Sequence, residues 1–190
     1  MPSNRTFQDW IVMSTTPRLC VELNGCIANN LAFMGMPDFG PPTGRTPPII
    51  GAFEALAWLN GPFAYAGEVH ITISCDDADF HEQAVQWLIA ERFSLRTGIM
   101  QENIHEYVTL DELAKLASGL HPTTAVGAHV QPLTRFLLAQ QQLLLDPHDY
   151  EQHEYHAVRQ TRMGVGIQRV TDWHEIMQLC LRELADPSLA

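Results

Sequence analysis

Glu22 ends the apolar run Leu19–Val21 and is followed two positions later by Asn24, then Gly25. A buried strand emptying into a loop is where an α/β protein places catalytic groups. A carboxylate there can act as a nucleophile or bind a cation through oxygen. General acid–base work at the second position would need a proton-exchanging group, and the amide of Asn24 cannot exchange one near neutral pH. Two readings follow. Glu22 with backbone oxygens holds magnesium weakly, or Glu22 and Asn24 only close the turn with hydrogen bonds, which is the plainer of the two.

Other groups with chemistry lie downstream. Ser74 ends a second apolar stretch, and its hydroxyl with neighbouring amides suits either an anion or the loop itself. Asp76, Asp77 and Asp79 follow it. They are candidate metal ligands, although acids also favour the positive end of a helix dipole, and a solvated helix start is the simpler account. His121 and His129 are expected either at the crevice or in ordinary hydrogen bonds. The stretch HDYEQHEYH contains His148, His153 and His156. His153 and His156 would share a helix face, a spacing that permits a shared metal. No HExxH pair is present, so a polar surface segment is the simpler reading.

These groups need a scaffold. Apolar and polar patterning predicts strands at Arg18 to Glu22, Glu68 to Cys75, IHEYVT at 104 to 109, Thr124 to Val130 and Gly166 to Val170. It predicts helices from Ile50 to Leu59, from about Asp79 to Phe93, from Asp111 to Ala117, from Leu133 to Leu145 and from Asp172 to Leu184, the last capped by Thr171 or Asp172. Strands alternating with helices indicate an α/β domain with a parallel sheet covered on both faces. The ends near Glu22, Ser74 and His129 should then meet in one crevice. Residues 29–48 are dense in Pro and Gly and are expected to form a loop insert or small lid. The apolar excess of Phe136 to Leu138 and Leu143 to Leu145 suits core or a subunit contact.

The chain has 190 residues, enough for a single domain with a proper core. Its 22 acids against 11 bases give a net charge of −11, which argues against a nucleic-acid partner. No apolar run reaches the roughly 18 residues a membrane helix needs, and no basic stretch followed by an apolar core opens the chain, so no membrane role and a cytoplasmic location are expected. The cysteines at 20, 26, 75 and 180 form no CxxC pair and are expected to be reduced thiols.

In order and spacing, the strand RLCVE, the loop LNGCIANN, the Pro-rich insert and PPIIGAFEALAWLN resemble the haloacid-dehalogenase (HAD) superfamily, specifically its small phosphatase-like members. The resemblance covers about residues 18 to 136 and extends to QRVTDWHEIMQLCL. It implies a HAD-like, Rossmannoid sheet without a large cap domain. In that family an Asp after strand one attacks phosphorus and a second Asp two residues on handles the proton. A Ser or Thr and a Lys hold the phosphoryl oxygens, and a further acid pair helps bind magnesium.

Carried onto this chain, the nucleophile position falls on Glu22, one methylene longer than Asp, and the acid/base position on Asn24. Ser74 matches the phosphate-binding hydroxyl. The lysine position falls on His121 before Pro122, and the metal acids fall near His129 and Val130. Lys115 is the only lysine, placed inside a helix and facing solvent, and no acid occurs between Glu112 and Asp146. The resemblance therefore implies a pseudophosphatase that needs no cofactor and acts as a binding, regulatory or structural partner, through another protein or its own copies. Two alternatives stay open: a magnesium-dependent phosphatase with Glu22 as nucleophile, and a metal or small-anion binding protein.

Overall fold

The structure, a computed structural model, describes residues 16–29, 42, 46–75, 78–146 and 166–185. Successive side chains of its strands leave for opposite faces, and both faces are covered. Leu19 and Val21 enter one apolar cluster and Cys20 the other; Leu143 and Leu145 are divided from Leu144 in the same way. Strands buried on both sides read as nearly continuous apolar runs, which is the signature of a parallel sheet between helical layers.

The strands are β1 (Leu19–Glu22), β2 (Val69–Ser74), β3 (Ile104–Tyr107), β4 (Thr124–Gly127), β5 (Gln141–Leu145) and β6 (Ile167–Val170). They form a six-stranded sheet in the order β3-β2-β1-β4-β5-β6. Every pairing is parallel. The helices are α1 (Ala52–Leu59), α2 (Ala78–Ala90), α3 (Phe93–Thr97), α4 (Leu110–Leu120), α5 (Val130–Leu133) and α6 (Trp173–Ala185). Phe53 and Leu56 of α1, Trp87 of α2, Phe93 of α3 and Trp173 and Ile176 of α6 fill the larger cluster on one face. Leu113 and Ala117 of α4 with Val130 and Leu133 of α5 cover the other.

The helix starts follow from local chemistry. Thr109 Oγ1 accepts from the Glu112 N–H while the Glu112 carboxylate accepts from the Thr109 N–H, a reciprocal cap that opens α4. Asp172 Oδ1 accepts from the Glu175 N–H at 2.8 Å, which identifies Asp172 as the cap of the last helix.

One expected element is different. Leu133 to Leu145 is not a helix. The chain leaves α5 through a turn in which Phe136 N–H bonds to Leu133 O and Ala139 N–H to Phe136 O. It then enters the sheet as β5 beside β4. Leu143 to Leu145 are core, whereas Leu137 and Leu138 remain exposed. A short all-apolar run carries no periodicity that separates a buried strand from a buried helix. The strand expected to reach Val130 also ends earlier, at Gly127. The helix expected to run to Phe93 breaks at Arg92, whose φ of 53° is left-handed. Most of the 29–48 insert, Asp76, Asp77 and the histidines of the 146–163 segment lie outside the described residues.

Two histidines sit on neighbouring strands. His70 Nδ1 lies 3.0 Å from His105 Nε2, and His70 Nε2 lies 3.6 Å from the Glu68 carboxylate, which Arg18 also engages at 2.7 Å. Burial lowers both histidine pKa values below 6.5, most directly for His70, where the pull of Glu68 only partly offsets it. The unfolded chain therefore takes up these protons before the folded one does. Stability is expected to fall as pH drops through 6.5 towards the depressed folded values. Below 4.5 a second loss sets in as Glu68, held low first by its hydrogen bond from Arg18, is protonated. Urea midpoints between pH 8 and pH 4 check this, and His70→Gln with His105→Gln should flatten the upper part of the slope.

Candidate functional site

In a parallel sheet all carboxyl ends share one edge, and the crevice opens where chain order reverses. Here the reversal lies between β1 and β4. Glu22 ends β1, Ser74 ends β2, and Ala128 and His129 follow β4. Those groups share one edge, as the sequence predicts.

Glu22 is buried, with 5% of its surface exposed. Its Oε2 accepts the Ala128 N–H at 3.0 Å, so the carboxylate spans the switch point and ties the loop after β1 to the loop after β4. Gly127 makes that approach possible. A Cβ there would lie 3.2 Å from Glu22 Oε2 and 2.9 Å from Leu133 Cγ. A charge-assisted hydrogen bond from a backbone amide holds such a carboxylate firmly.

The turn after β1 is closed by its own backbone. Gly25 has φ 74°, where glycine is favoured. Gly25 N–H bonds to Ala28 O, and Ile27 and Ala28 both donate to Leu23 O. Asn24 is 3% exposed inside this turn. Two further elements clamp it. Trp173 Nε1–H of α6 donates to Cys26 O at 2.7 Å, and Ile49 N–H donates to Ile27 O at 2.7 Å. Burial pushes the Cys26 thiol well up, and the nearby Glu22 charge adds to the shift. A protonated, enclosed thiol is a packing group rather than a nucleophile.

His129 caps α5 in extended backbone and is half-buried, and Ser74 is partly exposed. His121 is elsewhere. It caps the far end of α4 with left-handed φ 48° and precedes β4, so it lies at the amino edge of the sheet, opposite Glu22. Arg18, entering β1, donates to Leu120 O at that same edge. A residue before a parallel strand stands at the edge opposite the crevice, so of the two expectations for His121 the crevice one does not match this position. Lys115 is exposed on α4, as its pattern implies. Asp79 is exposed in the first turn of α2.

Magnesium favours carboxylate and carbonyl oxygens in near-octahedral array. At this edge the described residues supply two buried carboxylates, Glu22, engaged by Ala128 N–H, and Asp146, approached by Arg169, together with the side-chain amide of Asn24. With both carboxylates already facing protein donors, this described donor set does not fit magnesium.

The pattern reading missed two groups. Asp146 ends β5 at the same edge and is 3% exposed; Arg169 of β6 approaches its carboxylate at 3.4 Å and donates to its carbonyl at 2.8 Å. It was hidden by the helix expected across 133–145. The second group is Cys75, His81 and Glu106, which converge at the ends of β2 and β3 and the start of α2. Nothing in their spacing along the chain signals it. No protein-family model matches this chain, and no curated protein matches it.

Proposed function

We propose that the chain is a HAD-like pseudophosphatase that acts as a binding or regulatory partner of another protein or of its own copies. The observation that carries this reading is the role of Glu22. The carboxylate at the nucleophile position is buried and engaged by the Ala128 amide, so it holds two loops together. Aspartyl-phosphate chemistry needs an oxygen aimed at phosphorus, and a displacement of about 1 Å lowers such rates roughly 100-fold. The other positions support the same reading. Asn24 cannot relay a proton, and His121, at the lysine position, stands at the far edge from a phosphoryl group at Glu22.

The six-stranded order is also that of dinucleotide-binding folds. The turn directly after β1, residues 23–29, carries one glycine, Gly25, and no GxGxxG run, which favours the HAD-like reading. Exposed Ile50, Trp58 and Phe63 around α1 give the chain apolar surface for association. No described helix is long and apolar enough to cross a membrane.

The test is an assay with a generic phosphomonoester and magnesium. Wild type is expected to show no turnover above buffer. Glu22→Gln serves as the comparison, because its amide oxygen still accepts from Ala128. Magnesium-dependent turnover abolished by that substitution would instead establish a phosphatase with a Glu22 nucleophile.

A further inference from the structure

We propose that Cys75, His81 and Glu106 bind a divalent transition metal of the zinc class. One ligand atom from each lies within 4.8 Å of the other two. Zinc bonds of about 2.0–2.3 Å place tetrahedral ligand atoms roughly 3.3–3.8 Å apart, so the cluster closes on a metal with small side-chain shifts. Three different elements supply the ligands, and each is held. Cys75 N–H bonds to Tyr107 O at 2.8 Å, which ties the end of β2 to β3. Glu106 pairs with Ile73 in the β2–β3 register, so its side chain leaves on the same face as those of Ile73 and Cys75. His81 follows the buried Phe80 in the first turns of α2.

The geometry around His81 points to a ligand rather than to a simple ion pair. Its Nδ1 lies 2.9 Å from Glu106 Oε1. That nitrogen is shut off from solvent, yet the contact lacks hydrogen-bonding geometry and the atom has no other hydrogen-bond partner among the described residues. A buried ring nitrogen left this way is unfavourable unless something else takes its lone pair. A metal between Nδ1, the carboxylate and the thiolate would take it.

The donor chemistry selects the metal. A thiolate with an imidazole and a carboxylate suits zinc or cobalt(II), whereas magnesium and calcium want oxygen alone. The side chains of His81 and Glu106 are 45% and 46% exposed, which leaves an open approach and a fourth position for water or an incoming ligand. The site is separate from the Glu22 crevice contacts and does not depend on the pseudophosphatase reading.

The test uses the full chain, stripped with a chelator and titrated with cobalt(II). Expected are one equivalent bound and a thiolate-to-cobalt charge-transfer band. Cys75→Ser should remove the band, and His81→Ala and Glu106→Gln should each weaken binding at least tenfold. Absence of the band in wild type overturns the proposal, and so does a band that persists in Cys75→Ser. Cys75 is buried and its variant can misfold, but the other two positions are half-exposed. Unchanged affinity in both His81→Ala and Glu106→Gln therefore overturns the site by itself and places the metal elsewhere, for instance in the His-rich 146–163 segment.

Discussion

Trp173→Ala is expected to destabilise the protein by about 3–5 kcal/mol, the range for removing a large buried aromatic. The side chain is 1% exposed and belongs to the larger core cluster. Its Nε1–H is also the donor that clamps the turn after β1 through Cys26 O. Truncation therefore opens a cavity and strands a buried carbonyl at once. Domains of this size are stable by only about 5–15 kcal/mol in total, so the loss is a large share. Urea midpoints measure it. Trp173→Phe separates the two effects, because it keeps most of the volume and loses only the hydrogen bond. It should destabilise by roughly 1–3 kcal/mol, the range for an unsatisfied buried polar group. A Trp173→Ala loss below about 1 kcal/mol would mean that α6 does not secure the turn.

Gly127→Val is expected to destabilise by about 3 kcal/mol, at the upper end of overpacking effects. The first added carbon would sit 2.9 Å from Leu133 Cγ and 3.2 Å from Glu22 Oε2. Leu133 is fully buried in the smaller cluster, so a shift there disturbs its core neighbours. The carboxylate could yield only by lengthening its bond to Ala128 N–H. For a chain of this length each kcal/mol shifts the melting temperature by about 2–4 °C, so a fall of roughly 6–12 °C is expected. Gly127→Ala should show a smaller fall of the same sign. Because the Val side chain and Glu22 touch, Glu22→Gln combined with Gly127→Val should depart from additivity. Strict additivity would indicate that the strain is relieved at Leu133 instead.

Parts of this structure were legible before any coordinates. The runs at Leu19 and Thr124 read as buried strands because they are short and mostly apolar, and Val69 to Ser74 because Val69, Ile71 and Ile73 alternate with His70, Thr72 and Ser74. Asp172 reads as a helix boundary because a side-chain oxygen must satisfy amides that the first turn leaves open, whereas Thr109, expected at the end of a strand, proves to cap α4. Glu22, Ser74 and His129 were placed on one edge because parallel strands end on the same side. The errors share one cause. Gln141 to Leu145 and Leu133 to Ala139 have similar composition, and only pairing with β4 makes the first a strand. The resemblance put the lysine position on His121, but that residue stands before its strand and so falls on the opposite edge.

The sequence by itself determined the alternation of strands and helices, the acidic balance, the amide at Asn24 after the first strand, and the lone lysine. These are properties of residue type and local spacing. Only the tertiary structure decided what Glu22 does, because its partner Ala128 is 106 residues away and reaches it through the adjacency of β1 and β4. The same holds for Cys75, His81 and Glu106. Their side chains meet because two parallel strands and a helix start converge at one corner, a relation that no sequence spacing records.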